Sequence, residues 1–222
     1  MKSRVVIIAG VAAASIMLLS SPVKAIGLGV YLTGSVSHYN WTYQNYDYSY
    51  TDEEISHKSN GYKAGGGFIL DTALAYDRLF NYRLNLGGAY IKLYNDSGVP
   101  DLKGTEFHCY NSFGFGVYRS EDIRVWAGPQ IGFGMMEAEY DMQTSGVYEY
   151  NSFWTVFFSI GAIAGINYNY DNRLSLCFDA GFRYSSHGGE AEIRDKSWDD
   201  VVGKQYEGFI DVCFLFRIND EF

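Results

Sequence analysis

The sequence predicts an all-β fold, an eight-stranded antiparallel transmembrane up-and-down β-barrel that follows a cleaved export signal. Three observations indicate it: eight segments alternate with a period of two residues, their apolar stripes carry no charged residue, and short connections alternate with long ones. An aromatic content of 18% with only 19% charged residues excludes a disordered chain. A net charge of -9 argues against nucleic-acid binding, which requires a basic surface.

The N-terminus has the layout of a secretory signal peptide. Lys2 and Arg4 precede an apolar run over 5–19, which at about 15 residues is too short for a transmembrane helix. A small-x-Ala pattern then ends at Ala25. We therefore expect a signal peptide over 1–25 and a barrel domain over 26–222, with an uncleaved N-terminal anchor as the alternative. Removal of the signal leaves 14 cationic and 26 acidic residues, a net charge of -12.

The predicted strands are recognised by apolar side chains at every second position. Their apolar stripes lie, in chain order, over 28–36, 64–70, 84–90, 107–117, 125–135, 154–168, 174–184 and 210–218. In the first four, representative neighbours on opposite faces are Leu32 and Thr33, Phe68 and Gly67, Leu84 and Arg83, and Phe107 and Glu106. In the last four they are Val125 and Arg124, Val156 and Thr155, Phe178 and Asp179, and Val212 and Asp211. Asn111 is the clear polar residue on an apolar stripe.

The charged residues occupy the opposite face of these strands. They are Lys63, Asp71, Arg83, Glu106, Arg124, Asp179, Arg183, Asp211 and Arg217. A soluble β-sandwich places its large apolar residues inside and its charges outside, so the layout is reversed. In lipid the sheet must close, and eight strands enclose a lumen that side chains fill. We therefore predict a lumen charge network of paired residues, with an ion or proton path as the alternative.

The connections alternate in length. Short ones lie at 77–81, 119–122 and 169–172, and long ones at 40–60, 94–103, 137–151 and 186–204. Short periplasmic turns and long extracellular loops are typical of barrels in the bacterial outer membrane, with both termini in the periplasm. The long loops are aromatic and acidic, as in Trp41, Tyr43, Tyr46, Tyr48 and Tyr50 of the first. They suggest surface interaction, with ordinary polar loops as the alternative.

The sequence resembles the small outer-membrane β-barrel proteins of the OmpA/OmpX-like superfamily. The resemblance extends over the whole mature chain and is most specific over 111–118, 124–130 and 209–217. It implies that the C-terminal Phe222 is an assembly signal read by the barrel-assembly machinery. Asp220 and Glu221 depart from that signal.

A lipid A-modifying enzyme is the alternative function. Residues 183–187 resemble the outer-membrane lipid A deacylases, and Ser185, His187 and Glu190 are the candidate nucleophile, base and acid at the outer rim of strand seven. The family carries His two residues before Ser, whereas here Ser185 precedes His187.

The remaining residues predict no cofactor and no metal site. Cys109, Cys177 and Cys213 are too few for a disulfide framework, and Cys177 and Cys213 are expected inside the barrel as two free thiols or, alternatively, one disulfide. The loop carboxylates lack the oxygen spacing of a calcium loop. The resulting expectation is a monomeric, non-enzymatic barrel that serves envelope integrity and surface interaction. Its expected partners are outer-membrane lipids, lipopolysaccharide and surface or host ligands, and a narrow pore is a further alternative.

Overall fold

The protein is described from a computed structural model, which covers residues 27–45, 53–72, 79–96, 101–141, 152–171, 173–193 and 196–218. Among these residues no helix is long and apolar enough to cross a membrane. Eight strands are present: β1 Gly27–Asn45, β2 Glu53–Asp71, β3 Phe80–Asn95, β4 Asp101–Arg119, β5 Ile123–Asp141, β6 Ser152–Asn169, β7 Leu174–Ile193 and β8 Lys196–Arg217. The expected signal peptide, its cleavage site at Ala25 and the C-terminal Phe222 lie outside the described residues.

The eight strands form a closed barrel in sequence order. Each strand pairs antiparallel with the next, and β1 pairs antiparallel with β8 to complete the ring. Gly27 at the start of β1 lies opposite Arg217 at the end of β8, so the two ends of the barrel domain are at the same rim. The predicted fold class, an eight-stranded up-and-down barrel, is confirmed.

The barrel exterior carries a broad apolar band. Large side chains on it are strongly exposed, as in Leu32 at 65%, Val36 at 69% and Phe68 at 72%. An apolar surface of this extent on a closed sheet is the surface that lipid covers. On β2, β3, β4 and β8 the band ends at outward-facing aromatic residues, which we call the outer aromatic girdle: Tyr62, Tyr90, Phe107 and Tyr206.

The strands continue well past this girdle, which corrects the predicted long loops. Residues assigned to the connections over 40–60, 94–103, 137–151 and 186–204 are in large part strand, since β1 reaches Asn45, β2 begins at Glu53 and β7 reaches Ile193. Beyond the girdle the apolar side chains point into the barrel and the polar side chains point outward, because the exterior there faces water and not lipid. Trp41 and Tyr43, predicted as loop residues, are buried inside the barrel, while Thr42 is outward and half-buried. Tyr46, Tyr48 and Tyr50 lie outside the described residues.

Two of the connections predicted as short periplasmic turns are locally hydrogen-bonded. Between β4 and β5 the Ser120 N–H donates to the Ile123 carbonyl at 2.8 Å, and the Ile123 N–H donates to Ser120 Oγ at 3.1 Å. Between β6 and β7, Asp171 Oδ1 accepts the N–H groups of Arg173 and Leu174, each at 2.7 Å. These two bonds favour the carboxylate and lower the pKa of Asp171 below its ordinary value. Each side chain therefore holds its turn closed.

Candidate functional site

The periplasmic half of the lumen is organised around one buried arginine. Arg83 Nε donates to Asp71 Oδ2 at 2.7 Å, and the guanidinium also forms an ion pair with Asp179 across the barrel. Its Nη2 donates to Asn167 Oδ1 at 3.0 Å, and its Cζ lies 4.7 Å from the ring centroid of Trp126. Strand β3 supplies the arginine and β2, β6 and β7 supply these polar partners, so the cluster crosslinks the inner wall.

A second charge cluster fills the middle of the lumen. Lys63 Nζ lies 2.5 Å from Glu106 Oε2 and 3.2 Å from Glu207 Oε2. Glu207 also forms an ion pair with Arg183, whose Nη2 lies 3.5 Å from Oε1, and its Oε2 accepts a hydrogen bond from Gln205 Nε2 at 2.8 Å. All five side chains are almost fully buried. Because an unpaired charge in such a site carries a large desolvation penalty, each ionic group here depends on its partners.

Hydrogen bonds and aromatic contacts extend the central cluster. His108 Nδ1 lies 3.1 Å from Glu106 Oε1, and His108 Nε2 lies 2.6 Å from Tyr31 Oη. The Arg183 guanidinium is sandwiched between two rings, with its Cζ 3.8 Å from the centroids of both Tyr110 and Phe209. Cations pack favourably on aromatic faces, so the rings also exclude water around the guanidinium.

The extracellular half of the lumen is closed by an apolar core, which we call the aromatic plug. Its members are Tyr39, Trp41, Tyr43, Ile91, Leu93, Leu102, Met136, Ala138, Phe153, Ala191 and Val201. The ring of Trp41 stacks on Tyr39 at 5.1 Å between centroids and meets the edge of Phe153 at 5.0 Å. The lumen is therefore occupied by ion clusters below and by packed rings above.

The nine residues predicted as a lumen charge network have the following positions. Eight are buried with inward orientation: Lys63, Asp71, Arg83, Glu106, Arg124, Asp179, Arg183 and Asp211. Arg124 Nη2 donates to Asn81 Oδ1 at 3.4 Å, and Asp211 Oδ2 accepts from Asn85 Nδ2 at 3.5 Å. Arg217 is only half-buried, at the periplasmic end of β8.

Sequence reasoning missed Glu207, which contacts three members of the central cluster, Lys63, Arg183 and Gln205. The predicted apolar stripe of strand eight begins at residue 210, and Gly208 interrupts the outward apolar pattern just before it. Glu207 is nevertheless in phase with Asp211 on the inner face. Extending the two-residue period through Gly208 would have identified it.

Ser185, His187 and Glu190 are not assembled into a catalytic arrangement. His187 was predicted at the outer rim, but β7 continues beyond it and the side chain is 2% exposed inside the lumen. His187 Nε2 bonds to Gln205 Oε1 at 3.0 Å and Nδ1 lies 3.3 Å from Thr155 Oγ1. Ser185 faces the lumen as well, whereas Glu190 follows a register shift after Gly189 and is exposed outside.

We expect His187→Ala to change stability and not lipid chemistry. The imidazole packs against Tyr39, Trp41 and Phe157, so its loss leaves a cavity and an unpaired Gln205 amide. Losses of this kind cost about 1–3 kcal/mol. Urea unfolding of the barrel in lipid vesicles, with lipid A mass spectra of cells that carry either form, measures both effects. A lipid A species that disappears with the histidine would contradict this expectation.

A polar residue interrupts the apolar stripe of β4 on the lipid-facing side. Asn111, the polar residue on an apolar stripe, is 3% exposed and accepts a hydrogen bond from Tyr82 Oη at its Oδ1, 2.6 Å away. Its Nδ2 lies 3.8 Å from Cys109 Sγ. The amide is thereby paired within the sheet, which is required of a polar group in hydrocarbon.

Tyr82→Phe is expected to cost about 1–3 kcal/mol of unfolding free energy, because it leaves the Asn111 amide without its hydroxyl partner. The double variant Tyr82→Phe/Asn111→Leu removes both polar groups and is expected to recover most of that loss. Urea titrations of the three proteins in the same vesicles give the comparison. A double variant that is less stable than the single one would argue against this interpretation.

The interior cysteines face each other across β7 and β8. Cys177 and Cys213 are directly paired in register near the periplasmic end, and both are buried and free. Cys213 Sγ lies 3.5 Å from Asp179 Oδ2, which connects it to the Arg83 cluster. Within the described residues no group of three His, Cys, Asp or Glu side chains is placed to hold a metal ion.

Several solved structures are similar to this chain. The outer membrane protein OprG from Pseudomonas aeruginosa is 8% identical, with 87% of this chain and 96% of that chain covered and a TM-score of 0.45. The outer membrane protease OmpT from Escherichia coli is 7% identical, with 89% and 98% covered and a TM-score of 0.42. Ail, the attachment invasion locus protein of Yersinia pestis, is 12% identical, with 85% and 98% covered and a TM-score of 0.35. No protein-family model matches the sequence, and no curated protein matches it.

The fold is that of a small outer-membrane β-barrel. The chain is an integral protein of the bacterial outer membrane, because a closed ring of antiparallel strands with an apolar exterior is the form in which a β-sheet spans a bilayer. The similarity to solved structures concerns the fold alone.

Proposed function

We propose that this outer-membrane β-barrel is a non-enzymatic, non-conducting protein that serves envelope integrity and surface interaction through its extracellular end. The observation that carries the proposal is the continuation of the closed barrel past the apolar band. From Val36, where the band ends on β1, the strand runs on to Asn45. These nine or so residues span roughly 30 Å of strand, or about 20–25 Å along the axis at the tilt of such barrels.

The interior of this extension supports a role in contact. The aromatic plug fills the interior of the extension, and the outer face of the extension carries polar side chains such as Asn40, Thr42 and Gln44. A packed β-extension keeps its shape above the membrane, so a partner that binds its tip loses little conformational entropy in ordering it. Surface contact therefore suits this end of the barrel better than a flexible loop would.

The interior also supports the absence of conduction. The Arg83 cluster, the central Lys63 cluster and the aromatic plug succeed one another along the axis. Permeation would require the breaking of buried ion pairs, at several kcal/mol for each charge left alone. We expect no sustained ion conductance when the purified barrel is inserted in planar lipid bilayers, and stable unitary openings would contradict the proposal.

A shortened hairpin tests the surface role. Trp41 and His57 are directly opposite in the β1–β2 register, so residues 42–56 can be replaced by Asn-Gly, a two-residue turn that matches strand twist. Cells with the shortened barrel are expected to lose attachment to epithelial monolayers and to abiotic surfaces. Resistance to bile salts is expected to persist in these cells and to fall in a strain without the protein.

The control variant is Glu121→Gln in the periplasmic β4–β5 turn, which is remote from the extracellular end. It is expected to leave attachment and resistance unchanged. Heat-modifiable migration on gels verifies that each variant folds. Unaltered attachment by a folded, shortened barrel would overturn the surface role, and unaltered bile-salt resistance in the strain without the protein would overturn the envelope role.

A further inference from the structure

Four lysines point outward from one side of the barrel just beyond the outer aromatic girdle. They are Lys204 on β8, Lys58 on β2, Lys92 on β3 and Lys103 on β4, and we call them the basic arc. Asn40 of β1 is paired with Lys204 on one side and with Lys58 on the other. Lys92 is paired directly with Lys103. The arc therefore spans five neighbouring strands, of which β1 carries Asn40 in place of a lysine.

The height of the basic arc matches the phosphate layer of the outer leaflet. Lys204 and Lys92 each lie two residues beyond a girdle tyrosine in the direction of the extracellular end, and Lys58 and Lys103 lie four residues beyond Tyr62 and Phe107 in the same direction. At about 3.3 Å per residue their Cα atoms lie roughly 7–13 Å along the tilted strands beyond the girdle. Lysine stems reach several ångströms further and place the ammonium groups among the headgroups.

The charges around the arc favour an anion there. Lys92 and Lys103 are directly opposite on adjacent strands, an arrangement in which like charges destabilise the sheet. Asp96, at the outer edge of the arc, accepts the backbone N–H of Lys58 at 2.8 Å. Lys92 Nζ is 5.1 Å from the ring centroid of Tyr94, and Lys103 is also opposite Glu139 of β5 in register. A phosphate between the lysines would offset the repulsion.

Around the rest of the barrel, on β5 to β7, the outward-facing residues at the height of the basic arc include acids. Glu137 and Glu139 are exposed on β5, Glu190 is exposed on β7, and Trp154 on β6 lies between them. The outer rim is thus divided into a basic side formed by β8 and β1 to β4 and an acidic side formed by β5 to β7. The basic side is therefore the side of the barrel that favours a phosphate-bearing lipid.

We propose that the basic arc binds the phosphate groups of lipid A, the anionic glycolipid of the outer leaflet. The acyl chains of that lipid would lie along the exposed apolar band below the arc, at side chains such as Val36 and Phe68. Lysine is a suitable ligand because its ammonium group donates three hydrogen bonds to phosphate oxygens. This lipid partner goes beyond the proposed function, which requires no particular lipid on any side.

Native mass spectrometry of the purified barrel with bis-phosphorylated lipid A tests the assignment. The variant Lys58→Gln/Lys92→Gln/Lys103→Gln/Lys204→Gln is expected to bind the lipid at least tenfold more weakly. The variant with arginine at the same four positions is expected to retain binding. Arg173→Gln removes one cation at the exposed periplasmic end and is expected to change nothing. If the glutamine variant does not fold, the Lys58→Gln/Lys204→Gln pair replaces it, with an expected loss of at least threefold.

Each contrary outcome overturns the proposal in a different way. Equal lipid A binding by a folded glutamine variant shows that the arc is not the site. Equal binding of phosphatidylglycerol shows a general affinity for anionic lipid. Displacement of lipid A by inorganic phosphate at millimolar concentration shows a free-anion site. None of these results depends on conductance or on surface attachment, so failure of this proposal is distinguishable from failure of the proposed function.

Discussion

Arg83→Met is expected to destabilise the barrel by about 3–5 kcal/mol, the cost of removing one partner from a buried ionic group. Arg83 is fully buried and pairs with two carboxylates, Asp71 and Asp179, on different strands. Without it both carboxylates stay in the lumen next to each other's charge. Urea unfolding from lipid vesicles, followed by tryptophan fluorescence, measures the loss.

The matched control removes the whole cluster of charges. In Arg83→Met/Asp71→Asn/Asp179→Asn no ionic group is left alone, and we expect most of the stability to return. Both variants keep similar side-chain volume, so packing contributes little to the difference. If the triple variant were as unstable as the single one, the loss would come from packing against Trp126 and not from charge.

Trp41→Ala is expected to cost about 3–5 kcal/mol, the range for truncation of a buried tryptophan. Trp41 is 1% exposed and contacts Tyr39, Phe153 and His187 in the aromatic plug. The cavity opens above the two ion clusters, so we expect the variant to stay non-conducting. Unfolding titrations and planar-bilayer recordings on the same preparation check both parts.

A substitution at Gly203 on β8 tests the packing of the Trp41 ring from the strand that the ring contacts. A Cβ added at Gly203 would lie 2.2 Å from Cζ3 of the Trp41 ring, so Gly203→Ala should displace the ring at a cost of about 1–3 kcal/mol. In the Trp41→Ala background the same substitution is expected to be close to neutral, because the methyl group enters the cavity. Additive losses in the double-mutant cycle would mean that the two residues do not interact.

The fold class could be predicted from the sequence because the period of two continues through every membrane-spanning strand. Leu32 and Phe68 face lipid, whereas Lys63 and Arg83 face the lumen. Both orientations follow from one prediction, that the apolar face of each strand lies outside and the charged face inside, the reverse of a soluble sheet. The extracellular extension was missed because the pattern changes sign where water replaces lipid. Trp41 and Tyr43 are inside for the same physical reason that Leu32 is outside, which is that apolar groups avoid water.

The partners within the lumen could not be predicted in the same way. Arg83 meets Asp179, 96 residues later in the chain, and Lys63 meets Glu207, 144 residues later. Such pairs depend on the register at every intervening strand junction and on the total stagger of the closed ring. Period and charge indicate which face a residue occupies, whereas its neighbours across the axis follow only from the closed structure.

The junction between β1 and β8 has a consequence for access to the interior. From Gly27 opposite Arg217 to Gln44 opposite Asp200 the two strands are paired without a break, as fully as any neighbouring strands in the ring. This junction therefore has no lateral opening through which an acyl chain of the outer leaflet could enter the barrel. Along the axis from the extracellular end, groups such as Ser185 and His187 lie behind the stacked rings of Tyr39 and Trp41. The wall of the barrel separates the buried charges of the lumen from lipid a few ångströms away.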